Sequence, residues 1–244
     1  MYLNDTHILI YVVVLFIGGM IGQVVDYLNK TFVKEKKILS KDSFKQYKLI
    51  AKPNYSLILI NAILYVTLLY KFGVNLEFFR FALLVPMLIC AFVVDYQEQI
   101  IPNRLNLTMF EIGLIFTFVL GIFNLSMAKD ALLGMLAGGG IFLAITLIGG
   151  LIAGKEAMGL GDVKLMGALG LYFGLTGIII ISILSFLIGA IISIVIVLAK
   201  KNREDGYIPF GPFIVLATII TIFVPTNVLY VSLMQIFSLG LYKA

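Results

Sequence analysis

The chain has 244 residues, of which 61% are hydrophobic and only 13% charged, with a mean hydropathy of +1.08. Soluble domains carry about 25% charged residues, so this composition excludes one and calls for an all-α polytopic membrane protein. The net charge of +5 does not argue for nucleic acid, because eight of the eighteen basic residues crowd into Lys30–Lys52 beside an apolar run. Basic residues so placed set topology and meet anionic lipid.

A membrane crossing takes about 20 mostly apolar residues. In chain order the sequence predicts eight: His7–Leu28, Tyr55–Phe72, Phe78–Val94, Leu105–Phe123, Ala131–Ala153, Val163–Phe173, Thr176–Ala199 and Phe213–Leu233. The first lacks a basic leading region and a small-residue cleavage site, so it reads as a retained span, not a signal peptide. The sixth is short enough to be a half-span or a tilted helix. The expected organisation is a first transmembrane helix (1–28), a basic cytoplasmic loop (29–54) and a membrane domain of seven helices (55–244). The loop mixes lysines with Phe32, Ile38, Phe44 and Tyr47, which suits an amphipathic segment on the leaflet or a docking element.

With eight spans and the N-terminus outside, fourteen of the eighteen basic residues fall on the cytoplasmic side. That bias satisfies the positive-inside rule. It also places two carboxylates on that same face: Asp95 at the end of the third span and Asp162 at the start of the sixth.

Gly134-x3-Gly138 and Gly138-Gly139-Gly140 in the fifth span predict close helix packing. Pro86 and Pro225 are expected to kink their spans. Cys90, the one cysteine, sits in an apolar run and reads as a small buried hydrophobe. His7 is too near the N-terminus and too isolated to read as a catalytic base. Asp26 and Glu111 are the other carboxylates within or beside spans, and Glu98 and Glu156 read as solvated or ion-paired near the basic loops.

Asp162 stands in Gly159-Leu160-Gly161-Asp162-Val163-Lys164. Its glycines allow a sharp turn and the close approach of a neighbouring segment. A carboxylate at the edge of hydrocarbon is costly, and so points to function. Singly, Asp95 also fits an interface carboxylate and Asp162 a helix cap. As a pair they fit two-carboxylate hydrolysis, in which close carboxylates share one proton and divide the roles of base and acid. Lys164 either serves Asp162 or a substrate carboxylate, or snorkels to the headgroups.

Three stretches carry a resemblance. Asp95-x6-Pro102-Asn103, the run Glu156–Leu165 with Gly159, Gly161, Asp162 and Lys164, and Ile208-Pro209-Phe210-Gly211-Pro212-Phe213 occur in this order. Together they resemble the signatures of the type IV prepilin peptidases, membrane aspartyl proteases of the GxGD type. The resemblance covers about residues 55–225. It implies catalytic Asp95 and Asp162, supported by Pro102, Asn103, Gly159, Gly161, Lys164, Pro209, Phe210, Gly211 and Pro212. It also implies a bacterial inner-membrane protein that cuts the leader from prepilins or pseudopilins at the cytoplasmic face, using no metal.

Family members also methylate the new N-terminus with S-adenosylmethionine. Here the paired Cys-x-x-Cys element is absent, and Gly22–Asp26 departs from the family's first motif, which leaves that activity open. The alternatives are a preflagellin or Tad-type peptidase of the same chemistry, and a small proton- or cation-coupled transporter using Asp95, Glu111 and Asp162.

Overall fold

The computed structural model describes residues 2–4, 6–33, 54–154, 158–199 and 208–238. The basic loop from residue 34 onward, Glu156 and the Lys200–Arg203 cluster lie outside them. The chain folds as two compact units, Met1–Glu98 and Gln99–Ala244.

The first unit begins with a two-residue ladder, β1 (Tyr2–Leu3) against β2 (Thr6–His7), antiparallel. Among the described residues three helices follow: α1 (Ile8–Val33), α2 (Tyr55–Phe72) and α3 (Leu76–Glu98). His7 has a local role, accepting the Leu9 amide through Nδ1 at 3.3 Å as α1 starts. α1 meets α2 through Gly18 and Gly22. A β-carbon on Gly22 would stand 2.6 Å from the Leu57 carbonyl oxygen, so the two backbones touch with no side chain between them. The hydroxyl of Tyr65 on α2 donates to the carbonyl of Ala82 on α3. Asp26 is buried and ion-paired with Lys30 one turn on, at 2.7 Å. Cys90 is a fully buried free thiol, as its apolar setting predicts.

The second unit holds α4 (Asn103–Phe123), α5 (Leu125–Ala153), α6 (Leu160–Leu198), α7 (Gly211–Phe223) and α8 (Thr226–Phe237). Six of the described helices, α1 to α6, are long and apolar enough to cross a membrane. Their outward faces are apolar, with Phe16, Met20, Phe118, Leu151 and Ile152 among the most exposed side chains. Hydrocarbon as solvent requires such a surface.

α6 is a hairpin of two arms, 160–173 and 175–198, broken at Gly174 (φ 65°, ψ −173°). The reversal follows from α5. A β-carbon on Gly138 would lie 2.5 Å from Met166 O and 2.7 Å from Ile178 Cγ1, residues on opposite arms. A straight rise of about 1.5 Å per residue would hold those two residues about 18 Å apart. The sixth and seventh predicted spans are therefore these two arms.

Gly134 completes the seam. Its added β-carbon would stand 2.5 Å from Gly170 O, and one on Gly170 would stand 2.2 Å from Gly134 O. The predicted small-residue packing of Gly134 and Gly138 is borne out. Gly139 has only ordinary contact, and Gly140 has nothing within 4 Å.

At the turn, Asp130 of α5 accepts the amide of Leu175 through Oδ1 at 3.1 Å, capping the second arm from a neighbouring helix. A β-carbon on Gly174 would fall 1.9 Å from Asp130 Oδ2. Removing a cap costs about 1 kcal/mol. Asp130→Ala is thus expected to lower stability by about that amount, and Gly174→Ala by more, since it adds a positive-φ residue to the clash. Thermal melts of the purified variants in detergent check the order.

Three expectations are corrected. Asp95 does not end the third helix: α3 runs a further turn to Glu98 and stops where Gln99 turns left-handed (φ 58°). Polar side chains end an apolar run without ending backbone hydrogen bonding. α5 likewise starts six residues early, at Leu125, because the Asn124 side chain caps it by accepting from the Ser126 amide. Pro225 breaks the last span where a kink is predicted. Val224 before it is extended (ψ 131°), and Pro225 caps α8. Proline excludes its predecessor from the helical region. Pro86, in contrast, lies within an uninterrupted α3.

Candidate active site

Asp95 belongs to the first unit and Asp162 to the second. Asp95 lies in the last turn of α3 and is only 5% exposed, set between Val94, which is buried, and the exposed Tyr96. An interface carboxylate facing water would be open, and this one is not. Asp162 lies in the first turn of α6 and is also 5% exposed. Its amide donates to the Gly159 carbonyl at 3.1 Å, so Gly159 opens the helix. The helix N-terminus favours a negative charge there, which offsets part of the cost of burial.

The segment Ile101–Asn106 and the turn bearing Asp162 are built together. Pro102 starts α4 with φ −60°, and its carbonyl receives the amides of Leu105 and Asn106 at 3.0 and 3.2 Å. Proline suits this place because its φ is already set and it has no amide to leave unpaired. Gly161 lies against Ile101, whose Cβ would be 3.2 Å from an added β-carbon. This is the close approach that the second motif glycine permits. Gly159 is less confined, with only Asp162 Oδ2 and the Gly161 amide within 4 Å of a β-carbon built there.

Lys164, exposed, donates from Nζ to Asn103 Oδ1 at 2.7 Å. Asn106 donates from Nδ2 to the Gly161 carbonyl at 3.0 Å. Pro102, Asn103, Gly161, Asp162 and Lys164 thus form one structure. Sequence reasoning passes over Asn106. Its signal is a carboxamide in the first turn of a span, costly at the edge of hydrocarbon unless it bonds.

The Pro-Phe-Gly-Pro loop packs on other helices of the same unit. Phe210 packs at 5.1 Å from Phe186 on the second arm of α6, at 6.0 Å from Phe142 on α5 and edge-on to Phe213 at 5.8 Å. A β-carbon on Gly189 would stand 2.9 Å from Phe213 Cδ2, so that glycine makes room for the cluster. Pro209 is buried beside it, and Gly211 and Pro212 open α7. These residues anchor α7.

Residues 82–194 match the sequence model of the type IV leader peptidase family. The chain is 33% identical over 135 residues to a prepilin leader peptidase/N-methyltransferase of Aeromonas hydrophila, across 55% of this chain and 46% of that protein. It is 34% identical over 160 residues to a protein of the same description from Xanthomonas campestris pv. campestris, across 65% and 54%. An Escherichia coli relative, so described as well, is 32% identical over 130 residues, across 53% and 56%. The chain spans about half the length of the curated relatives it matches. No solved structure is significantly similar to it. Asp95, the 101–106 segment and the turn at Asp162 all fall inside residues 82–194, the stretch in which this chain is similar to the type IV leader peptidase family.

Proposed function

We propose that this chain is a membrane aspartyl endopeptidase that removes the leader from a type IV prepilin or pseudopilin, with Asp95 and Asp162 as its catalytic carboxylates. The observation that carries the reading is the burial of both. Each stands in a terminal turn of an apolar helix and is 5% exposed, inside the segment that matches the family. A buried carboxylate in such a helix is expensive, and reaction chemistry is one use that repays it.

In the proposed mechanism one carboxylate is ionised and the other protonated. The first takes a proton from water as the oxygen attacks the scissile carbonyl. The second donates to the carbonyl oxygen as the tetrahedral intermediate forms. Collapse then expels the amine, which leaves with a proton from the residue that first acted as base. Low dielectric favours this division, because two carboxylates brought together there could not both ionise cheaply.

The distribution of basic residues supports a cytoplasmic active face in an inner membrane. A prepilin meets that face where its basic leader joins its hydrophobic helix. Methyl transfer enters the proposal as a second activity, motivated by the names of the relatives alone.

The test is cleavage of a prepilin by the detergent-purified protein, with mass spectrometry of the product's new N-terminus. A single cut between leader and hydrophobic helix is the expected result. Folded protein that cuts no member of a prepilin and pseudopilin panel would overturn the reading. The same digest with S-adenosylmethionine reads methylation as an added methyl mass on the product.

A further inference from the structure

We infer that Asn106 is a positioning residue for Asp162. The inference rests on the peptidase reading and adds a residue to it. Asn106 is 3% exposed, in the first turn of α4. Its Nδ2 donates to the carbonyl of Gly161, the residue before Asp162, at 3.0 Å. The orientation of the carboxamide is fixed by chemistry: a carbonyl can only accept, so the nitrogen must face Gly161. Its Oδ1 is buried and accepts no hydrogen bond from the described residues.

A half-satisfied carboxamide is a poor way to fill space, since a buried acceptor left unpaired is costly and a leucine would pack there without that cost. What the fold gains is a fixed Gly161 carbonyl. Two neighbouring ties hold the same turn, Ile101 against Gly161 and Asn103 on Lys164. Of the three, the Asn106 bond alone is a hydrogen bond, part-buried, to the peptide that carries Asp162. It sets the rotation of the first turn of α6, and with it the height and direction of the carboxylate. The charged groups on the tied turns are Asp162, Lys164 and Arg104.

The test compares Asn106→Leu and Asn106→Asp with wild type in the prepilin assay across pH, per mole of folded protein. Asn106→Leu removes the donor at every pH. It is expected to lower kcat at least tenfold with KM changed less than threefold, at a ratio to wild type that does not vary with pH. Asn106→Asp is isosteric and lacks a donor only while ionised, so its ratio to wild type should rise as pH falls and its carboxyl O–H takes over the bond to Gly161.

A packing role would lower the yield of folded protein and leave kcat and both ratios near one. Folded Asn106→Leu within threefold of wild type, or an Asn106→Asp ratio flat with pH, would overturn the inference. Should Asn106→Leu not fold, the Asn106→Asp profile decides by itself. Failure of wild type to cleave would instead overturn the peptidase reading, and this inference with it.

Discussion

Asp95→Asn and Asp162→Asn are each expected to lower prepilin cleavage by roughly 10²- to 10⁴-fold, the range for removal of a positioned acid or base. The two losses should not add. In the proposed mechanism the carboxylates act as a unit, so the double variant is expected to be about as inactive as the worse single variant. Stability should move little or upward. Each aspartate is buried, and for whichever of the two is ionised in the proposed mechanism a neutral isostere relieves desolvation. Asp162 gives back part of that gain, since it loses the favourable field of the α6 N-terminus.

The measurement is kcat on a prepilin substrate together with a thermal melt of the same preparation. Inactive, well-folded variants match the expected result. An active Asp95→Asn or Asp162→Asn enzyme would remove that residue from the chemistry.

The second large effect concerns stability. Gly134→Ala and Gly170→Ala are each expected to cost at least the 1–3 kcal/mol typical of overpacking, because the added methyl meets backbone. At Gly170 the β-carbon would be 2.2 Å from the Gly134 carbonyl oxygen, and no rotamer change relieves a collision with a peptide. The two helices must separate, and the seam then loosens along its length. Gly140 supplies the control. It lies in the same glycine run with open space around it. Gly140→Ala is expected to be neutral or to stabilise by about 0.8–1 kcal/mol, the helix-propensity gain. Thermal melts of the three variants test this, and equal effects at Gly140 and Gly170 would refute the seam.

Much of this architecture could be read from the chain. The bounds predicted for the second span are those of α2, because Asn54 and Gly73 punctuate it cleanly. The break between the sixth and seventh predicted spans falls at Gly174, where the chain turns back.

The errors share a cause. Apolar runs report what lipid requires, whereas helix ends are set by backbone bonding. The last turn of α3, Tyr96-Gln97-Glu98, is polar and still helical. In the site, Asp162 and its glycines were legible as a local pattern. Asn106 was not, because its partner Gly161 lies 55 residues away and nothing in a linear reading joins them. Lys164 had two readings of equal weight, and its bond to Asn103 is one that neither included.

The hairpin at Gly174 bears on hydrophobic matching. Twelve residues separate Asp162 from Gly174, which at about 1.5 Å per residue is about 18 Å of helix. The Asp130–Gly174 turn, with Lys129 and Asn124 nearby in sequence, marks one polar boundary of the unit. Hydrocarbon is about 30 Å thick, so an arm rooted at that boundary ends about 10 Å short of the opposite one. In a bilayer so placed Asp162 would lie below the headgroups, with the depth of water above it set by the lipid. Bilayers of shorter acyl chains should hydrate the carboxylate, while longer chains should seal it. For the proposed peptidase, lipid thickness would then be a control on the reaction that no side chain of the protein supplies.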